Sequence, residues 1–487
     1  MAYSFRCYYS ITRDTAPQVK GPIRHFSAKS VSISGSMEKK CFFPCLPLSV
    51  GDILFSTKFL FRLGGESGLP MEIQSMDLRK QVLQLRAVNF LHGLASSVMN
   101  FRVLYLSGIG LTATQSGIVM CLTMVMGTIT PPLWGMLADS MRSKYRVFVL
   151  TVLGVSLTCA LVPTLGPVRI GGLLLASAII PLTNAFFIPS QSIVDASSVS
   201  ASVTIPGVEY SRLRMWMSIG YTAGNLAMTP LVASWGSSIP FFASTGFALL
   251  LLFSGSVIKQ YEEPPRERVD AEEAPMEKVR FSRLFQNYYL MVFLIINILI
   301  CIPSNCSSFM VYLLEEINAD TSLVGIVIAC RVTGEVLTLL VSPWLKARFP
   351  TPMLMLASAG CFCLEMLGYQ FADSVVTATL SCCFGGAAYG LVLCTAINYV
   401  NQLSPRGMQS TAVSVWLSGG QVAGMIAMLA GGAVIDALGV RSMFLIGLGC
   451  AVLWIVVFLG SYAFGEKVLK QKAPLPLFRR HSPSQDR

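Results

Sequence analysis

Two ionisable side chains lie within the segment RVTGEVLTLL, residues 331–340, which otherwise contains only apolar and small residues. Arg331 and Glu335 are four positions apart, so a helix carries both on one face. A charge at the centre of a bilayer costs at least ~2.5 kcal/mol, and such residues therefore face a partner or a water-filled cavity. The two residues form either a local ion pair or a cavity-facing pair that binds a solute, in which Glu335 also accepts a proton.

Three other ionisable residues stand alone in apolar segments. Glu365, in CFCLEMLGY, has no charged neighbour in the sequence, so it either pairs with a distant Arg331 or Arg102 or carries a proton. Arg102, in SSVMNFRVLYL, either extends its guanidinium to the membrane interface or faces inward. His92 is either a hydrogen-bonded packing residue or a proton relay. Among the acids of the spans, Glu335 and Glu365 are the two candidates for proton coupling.

An acid and a base flank one short loop. Asp195 ends the segment FFIPSQSIVDASS, and Arg214 begins the next apolar segment in YSRLRMWMSIGY. Two neighbouring antiparallel helices would bring this pair to the same mouth of the bundle. Trp216 and Tyr221 lie on or near that surface and are candidates for stacking on a solute. The alternative is that Asp195 and Arg214 only cap helix ends at the lipid headgroups.

The composition of the chain is that of a membrane protein. Its 487 residues are 53% hydrophobic and 13% charged, whereas soluble domains carry about 25% charged residues. A helix needs ~20 apolar residues to cross ~30 Å of hydrocarbon, and the alternating pattern of a membrane barrel is absent. We predict an all-α membrane protein with twelve transmembrane helices in two six-helix lobes. The predicted spans are 84–107, 115–137, 147–166, 171–194, 214–234, 239–258, 287–314, 322–345, 352–371, 375–399, 410–434 and 442–464.

A polar segment with adjacent prolines separates the two sets of six spans. Basic residues concentrate in the tails and in the loops after the second, eighth and tenth spans, which predicts that both termini face the cytosol or the stroma. The predicted organisation is a basic N-terminal tail 1–78, an N-lobe 79–258, a cytoplasmic linker 259–286, a C-lobe 287–464 and a basic C-terminal tail 465–487.

The N-terminal tail has the composition of a targeting segment. Its first forty residues hold seven basic residues against two acidic ones, together with many Ser and Thr. This composition is typical of a transit peptide, which would place the protein in a plastid envelope. A cytosolic tail without fixed structure is the alternative.

Several classes of function are disfavoured. The net charge of +11 resides in the tails and short loops, which is not the basic face of a nucleic-acid-binding protein. The fourteen cysteines include no CxxC pair, and the three histidines lack zinc spacing. We therefore predict no metal and no cofactor. An intramembrane enzyme would need a Ser–His or paired-Asp arrangement within the spans, and the spans do not offer one.

The loop after the second span carries a recognisable signature. GMLADSMRSKYR resembles the G-x-L-a-D-r-x-G-r-r loop of the major facilitator superfamily, with Gly135 and Asp139 at matching positions. The twelve-span layout and GGAVIDALGVRSMF after the eleventh span agree with it, so the resemblance covers about residues 83–465. It implies alternating access between two lobes and a gate latch at the cytoplasmic face. The latch candidates are Gly135, Asp139, Arg142 and Arg146.

One branch of that superfamily fits better than the rest. IPSQSIVDASS followed by YSRLRMWMSIGY is similar to the branch that holds oligosaccharide and nucleoside proton symporters, where a carboxylate ends span four and an Arg-rich run opens span five. Span eight of the branch carries a functional acid, which Glu335 matches. The His and acid that sugar symporters use in span ten are absent from SCCFGGAAYGLVLC. The predicted substrate contacts are Asp195, Arg214, Trp216, Tyr221, Arg331 and Glu335.

These observations together predict a secondary active transporter that moves a small polar solute by alternating access. The expected partners are the lipid bilayer and a solute such as a sugar or nucleoside, with protons as a candidate coupling ion, and the expected state is a monomer. The alternative is a non-transporting solute sensor or an assembly partner on the same scaffold.

Overall fold

The described part of the chain folds almost entirely into α-helices. This follows from its apolar runs, since a segment that crosses hydrocarbon must satisfy its backbone hydrogen bonds internally. Most of the predicted tails and linker lies outside the described residues. The computed structural model describes residues 71–141, 143–205, 208–261, 287–405, 408–470 and 475.

Fourteen α-helices occur among the described residues, seven in each half of the chain. The first half contains α1 (Met71–Ser96), α2 (Arg102–Gly108), α3 (Ala113–Met141), α4 (Lys144–Leu165), α5 (Ala176–Thr204), α6 (Tyr210–Trp235) and α7 (Ile239–Ser254). The second half contains α8 (Tyr288–Cys306), α9 (Met310–Glu316), α10 (Val324–Arg348), α11 (Thr351–Gln370), α12 (Val375–Leu403), α13 (Gln409–Leu438) and α14 (Val440–Lys467).

Short 3₁₀ segments join or extend some of these helices. Ser97–Phe101 connects α1 to α2, and Ser307–Phe309 connects α8 to α9, so each half begins with one broken helix. Gly255–Tyr261 extends α7, and Thr321–Leu323 leads into α10. A two-residue antiparallel hairpin, β1 (Arg169–Ile170) with β2 (Leu173–Leu174), lies between α4 and α5.

Among the described residues, ten helical segments are long and apolar enough to cross a bilayer. The other two predicted spans, 84–107 and 214–234, coincide with helices α1–α2 and α6, which fall short of that measure. Both carry polar residues within their length, among them Arg102 and Asn225. The polar side chains of these two helices therefore need partners inside the bundle.

Each half of the bundle has its own apolar core. Apolar side chains such as Leu157, Phe253 and Leu380 stay exposed, as expected of groups that meet lipid. The core of the first half includes Leu85, Phe148, Phe187, Leu213 and Leu251. The core of the second half includes Tyr289, Phe362, Tyr399, Trp454 and Phe458.

A further apolar cluster joins the two halves at one end of the bundle. Phe101 and Met228 of the first half pack in one cluster with Phe309, Leu313 and Val327 of the second. We call this end, which carries the loops 109–112 and 317–320, the closed end. It lies opposite the end of the bundle where α14 terminates.

Polar contacts reinforce the closed end. The Asp436 carboxylate accepts hydrogen bonds from the backbone N–H groups of Ala113 (3.0 Å) and Thr114 (2.8 Å), so a residue of α13 caps α3 of the other half. Ser107 donates to Glu315 Oε1 at 2.8 Å. Every hydrogen bond between described residues of the two halves lies at this end. Among the described residues, hydrogen bonds therefore join the halves at the closed end.

Within the second half, α10 and α12 approach closely because glycine faces the contact. A Cβ added to Gly386 would collide with the backbone carbonyl oxygen of Arg331 and lie 3.0 Å from the Glu335 nitrogen. A Cβ on Gly334 would meet the Cys383 carbonyl oxygen at 2.7 Å. This contact sets the position of α10 at Arg331 and Glu335.

We expect Gly386→Ala to destabilise the protein, because the added methyl meets backbone and α10 must shift. Such overpacking costs about 1–3 kcal/mol, which should lower the apparent unfolding temperature of the detergent-solubilised protein by several degrees. Gly360→Ala is the matched control, since nothing lies within 4 Å of its added Cβ. Equal unfolding temperatures for the two variants would contradict this account of the packing.

Candidate functional site

Ionisable side chains of α6, α10 and α12 lie within electrostatic range of one another. Arg331 and Glu335 of α10 and Tyr389 of α12 come from the second half. Tyr221 and Arg214 of α6 come from the first. Electrostatic interactions couple Glu335 to Arg214 and Tyr221 across the boundary between the halves.

Arg331 pairs with Glu365 of α11. Its Nη1 lies 2.9 Å from Glu365 Oε1, and its Nη2 donates to the Ser304 carbonyl oxygen at 3.3 Å. Tyr369 donates a second hydrogen bond to Glu365 Oε1 at 2.9 Å. Glu365 is 0% exposed, so it has no water to stabilise a charge, and an ion pair is the remaining way to carry one.

The local pair that the i, i+4 spacing allows is not the one formed. Arg331 makes its ion pair with Glu365, although electrostatic coupling to Glu335 remains. The physical reason is solvation: the fully enclosed Glu365 needs a counter-ion, whereas the half-buried Glu335 retains contact with accessible space. Of the two predictions for Glu365, pairing with a distant arginine is therefore the one observed.

Glu335 is left with a free carboxylate. Among the described residues it makes no ion pair and no hydrogen bond, and it is only half-buried. The neighbouring phenol of Tyr389, to which Glu335 is electrostatically coupled, has no hydrogen-bond partner within the same described set. A free acceptor and a free hydroxyl on adjacent helices can bind a hydroxyl, an amine or a proton.

The first half presents a chain of amides to the same region. The Tyr221 hydroxyl donates to Asn100 Oδ1 at 2.8 Å, and Asn100 Nδ2 donates to Asn225 Oδ1 at 2.8 Å. Asn225 Nδ2 returns a bond to the Tyr221 carbonyl oxygen. This chain ties α6 to the 3₁₀ segment after α1 and fixes the Tyr221 ring.

Asp195 and Arg214 meet across α5 and α6. Their Oδ1 and Nε atoms are 3.5 Å apart, and Tyr210 donates to Asp195 Oδ1 at 3.3 Å. The Asp195 side chain is 3% exposed and that of Arg214 is 23% exposed. The buried acid therefore holds an arginine that remains partly exposed.

Trp216, a predicted solute contact, and His92, a packing residue or proton relay by prediction, both have neighbours within the first half. Trp216 packs edge-on against Phe90 of α1, with ring centroids 6.5 Å apart. His92 lies 3.0 Å, Nε2 to Oγ, from Ser190 and packs against the Phe187 ring. His92 thus has the surroundings of a hydrogen-bonded packing residue. Trp216 has an aromatic neighbour within its own half.

Arg102 points into the first half instead of reaching the membrane interface. It is 3% exposed, and its Nη2 donates to Asn184 Oδ1 at 3.4 Å. Asn100, Tyr389 and Asn184 were not singled out from the sequence. The available signal was the same for all three: a polar side chain inside an apolar run.

The predicted gate residues lie at the end of the bundle away from the closed end. Gly135 is exposed, with nothing near a Cβ added to it. Arg146 is exposed, and its backbone N–H donates to Ser143 Oγ at 3.2 Å. Arg142 and the side chain of Asp139 lie outside the described residues. The latch therefore stays a prediction.

The described part of the chain offers no metal centre. It contains no group of three or more His, Cys, Asp or Glu side chains that could hold an ion. The described side chains of the site can form ion pairs and hydrogen bonds and can transfer protons.

Comparison with known proteins adds a family and a fold. The model of the MFS_1 like family matches residues 83–446. The chain is similar to the maltose permease of Geobacillus stearothermophilus, with 22% identity over 357 residues that cover 72% of this chain and 86% of the permease.

Two solved structures resemble the fold. The nucleoside transporter NupG aligns with a TM-score of 0.66 and 14% identity, covering 78% of this chain and 99% of NupG. A D-xylose-proton symporter aligns with a TM-score of 0.58 and 15% identity, covering 77% and 96% of the respective chains. At these identities the likeness establishes the fold alone.

We expect Glu365→Gln to destabilise the protein by about 3–5 kcal/mol, because it leaves the buried Arg331 without a counter-ion. The double variant Arg331→Met with Glu365→Leu should recover much of that loss, since it removes both charges. Thermal unfolding in detergent measures both. Glu335→Gln is the control and should stay within about 1 kcal/mol. A larger loss for Glu335→Gln than for Glu365→Gln would refute the assignment of the ion pair.

Proposed function

The chain belongs to the MFS_1 like family, and from that premise we propose that it is a secondary active transporter of a small polar solute. Transport proceeds by alternating access between two lobes. One observation carries the proposal: the Glu335 carboxylate, which makes no ion pair and no hydrogen bond among the described residues, lies within electrostatic range of Arg214 and Tyr221 of the opposite half. The hydrogen bonds between described residues of the two halves lie at the closed end, and polar groups from both halves form a site that can open to either side.

The lobes of the proposal are residues 79–258 and 287–464, each with six membrane crossings. Helices α1–α2 and α6 supply the two crossings whose polar residues lower their hydropathy. Basic residues in the tails and in the loops after α3 and α10 support a cytosolic or stromal location for both termini. In that orientation the closed end faces away from the cytosol or stroma. In the observed state the solute therefore exchanges with the cytosol or stroma.

The roles of the site residues follow from their surroundings. Glu335 is the proposed coupling residue, because it is the acid of the site with contact to open space and no counter-ion among the described residues. Arg214 and Tyr221 contact the solute from the first lobe. Arg331 holds the position of α10 through its pair with Glu365. Glu365 can exchange a proton only in a state that opens its surroundings.

Closure on one side must accompany opening on the other. The Asp436 cap on α3 and the Ser107–Glu315 hydrogen bond join the lobes in the observed state. Access from the closed end requires both contacts to break. The free energy needed to break these contacts is offset when solute and proton bind more tightly to the alternative state.

The names of the similar proteins suggest which carbon skeletons to test first. These proteins are a maltose permease, a nucleoside transporter and a D-xylose-proton symporter. Sugars and nucleosides expose many hydroxyls, which match the carboxylate, phenols and amides of the site.

Uptake of labelled sugars and nucleosides into proteoliposomes, with and without an inward proton gradient, tests the proposed function. Glu335→Gln should abolish gradient-driven accumulation, because the amide cannot take up and release a proton at physiological pH. Glu466→Gln is the matched control, since Glu466 is exposed at the end of α14. Absence of flux for every solute would favour a sensor over a transporter.

Asp436→Ala tests alternating access. Loss of a helix cap costs about 0.5–2 kcal/mol, so the variant should shift the population away from the observed state by roughly two- to thirty-fold. Electron–electron distance measurements between spin labels at Trp235 and Leu438, both exposed at the closed end, report the shift. Asp373→Ala is the control, since Asp373 pairs with Arg441 inside its own half. Unchanged distance distributions would count against a latch at Asp436.

A further inference from the structure

Arg102 is a buried cation with no counter-ion among the described residues. It is 3% exposed, and no carboxylate of the described residues lies within ion-pairing distance. A guanidinium carries five N–H donors, yet the single hydrogen bond found among those residues runs from Nη2 to Asn184 Oδ1 at 3.4 Å. A neutral amide at that distance does little to balance a full positive charge.

The other two arginines of the site have counter-ions. Arg331 pairs with Glu365 at 2.9 Å, and Arg214 pairs with Asp195 at 3.5 Å. A buried charge inside a membrane bundle is costly unless it is paired or reaches a water-filled cavity. Arg102 departs from the pattern that the other two follow.

The surroundings of Arg102 hold it in place without neutralising it. Asn184 donates from Nδ2 to the Thr123 carbonyl oxygen at 2.8 Å, which turns its Oδ1 toward the guanidinium. The groups that act on Arg102 electrostatically are the Cys159 thiol and the Tyr221 phenol, neither of which is an anion at neutral pH. None of its unbonded nitrogens is fully sealed from accessible space.

Tyr221 connects Arg102 to the interlobe site. The phenol is electrostatically coupled to Arg102 in its own half and to Glu335 and Arg331 in the other. Asn100, two residues before Arg102, accepts a hydrogen bond from the Tyr221 hydroxyl at 2.8 Å, so the segment that carries Arg102 contacts a residue of the proposed solute site.

We propose that Arg102 forms an oxyanion subsite of the transport site, which takes a carboxylate or phosphate group of the solute. Asn184 is its positioning residue. The inference rests on the proposed function, because it names a chemical class for the solute of that same site. An oxyanion supplies the missing charge and accepts two parallel hydrogen bonds from the guanidinium.

The test uses skeleton-matched compounds on the full-length protein. D-glucose, D-glucuronate and D-glucose 6-phosphate form one set, and uridine and uridine monophosphate form a second. Uptake into proteoliposomes is measured beside the thermal stability of the detergent-solubilised protein in each compound. We expect an oxyanion-bearing member to be taken up and to raise the unfolding temperature, and the comparison of D-glucuronate with D-glucose 6-phosphate separates carboxylate from phosphate.

Two variants remove the subsite in different ways. Arg102→Gln removes the charge. Asn184→Asp places a carboxylate where the amide lies 3.4 Å from the guanidinium, so that an internal counter-ion competes with the solute. Both should weaken the response to the oxyanion by about tenfold or more. Arg86→Gln, an exposed arginine of α1, is the control and should keep the full response.

The outcomes separate this inference from the proposed function. Uptake of neutral members with no oxyanion effect overturns the subsite and leaves transport intact. An Arg102-dependent thermal shift without uptake of any compound supports the subsite and contradicts the proposed transport function. A response that survives unchanged in both variants, or no thermal shift with any oxyanion, overturns the subsite. Size-exclusion profiles of the variants confirm that each protein compared is folded.

Discussion

The cost of placing charge inside an apolar bundle governs this structure. A fully enclosed carboxylate such as Glu365 is tolerated because Arg331 lies 2.9 Å away and Tyr369 adds a hydrogen bond. That pair links α10 to α11, and the second nitrogen of Arg331 reaches α8 through Ser304. Because Arg331 pairs with Glu365, Glu335 has no ion pair among the described residues.

Close helix packing makes this arrangement possible. Glycines on α12 let the backbone of α10 approach at the level of Arg331 and Glu335. Between the halves, a Cβ on Gly432 would lie 2.9 Å from the Ala113 carbonyl carbon, beside the Asp436 cap. Without an apolar driving force between helices in lipid, such small-residue contacts and hydrogen bonds hold helices together. The closed end combines both, so its opening requires a coordinated loss of contacts.

The least apolar helices of the bundle are also those that carry much of the site. Asn100 and Arg102 lie at the break between α1 and α2, and Tyr221 and Asn225 lie on α6. Their amides and hydroxyl satisfy one another in a hydrogen-bonded chain. A transporter that recognises a polar solute must carry such groups, and the bundle accommodates them by pairing them inside.

Some features of this protein follow from the sequence alone. The low charge content and the apolar runs predict a helical membrane protein, which the ten span-length helices and the family match confirm. Asp195 and Arg214 could also be placed together, because a short loop between antiparallel helices leaves few alternatives. Local spacing carries this information, since neighbours along a helix or across a short loop are neighbours in space.

The pairing of charges on different helices could not be predicted from local spacing. Spacing allows Arg331 to pair with Glu335, but burial of Glu365 on another helix decided the partner of Arg331. The same holds for Arg102, whose lack of a counter-ion depends on which side chains of α4, α5 and α6 surround it. Ion pairs inside a bundle depend on the relative solvation of competing acids, and that solvation is set only when the helices pack.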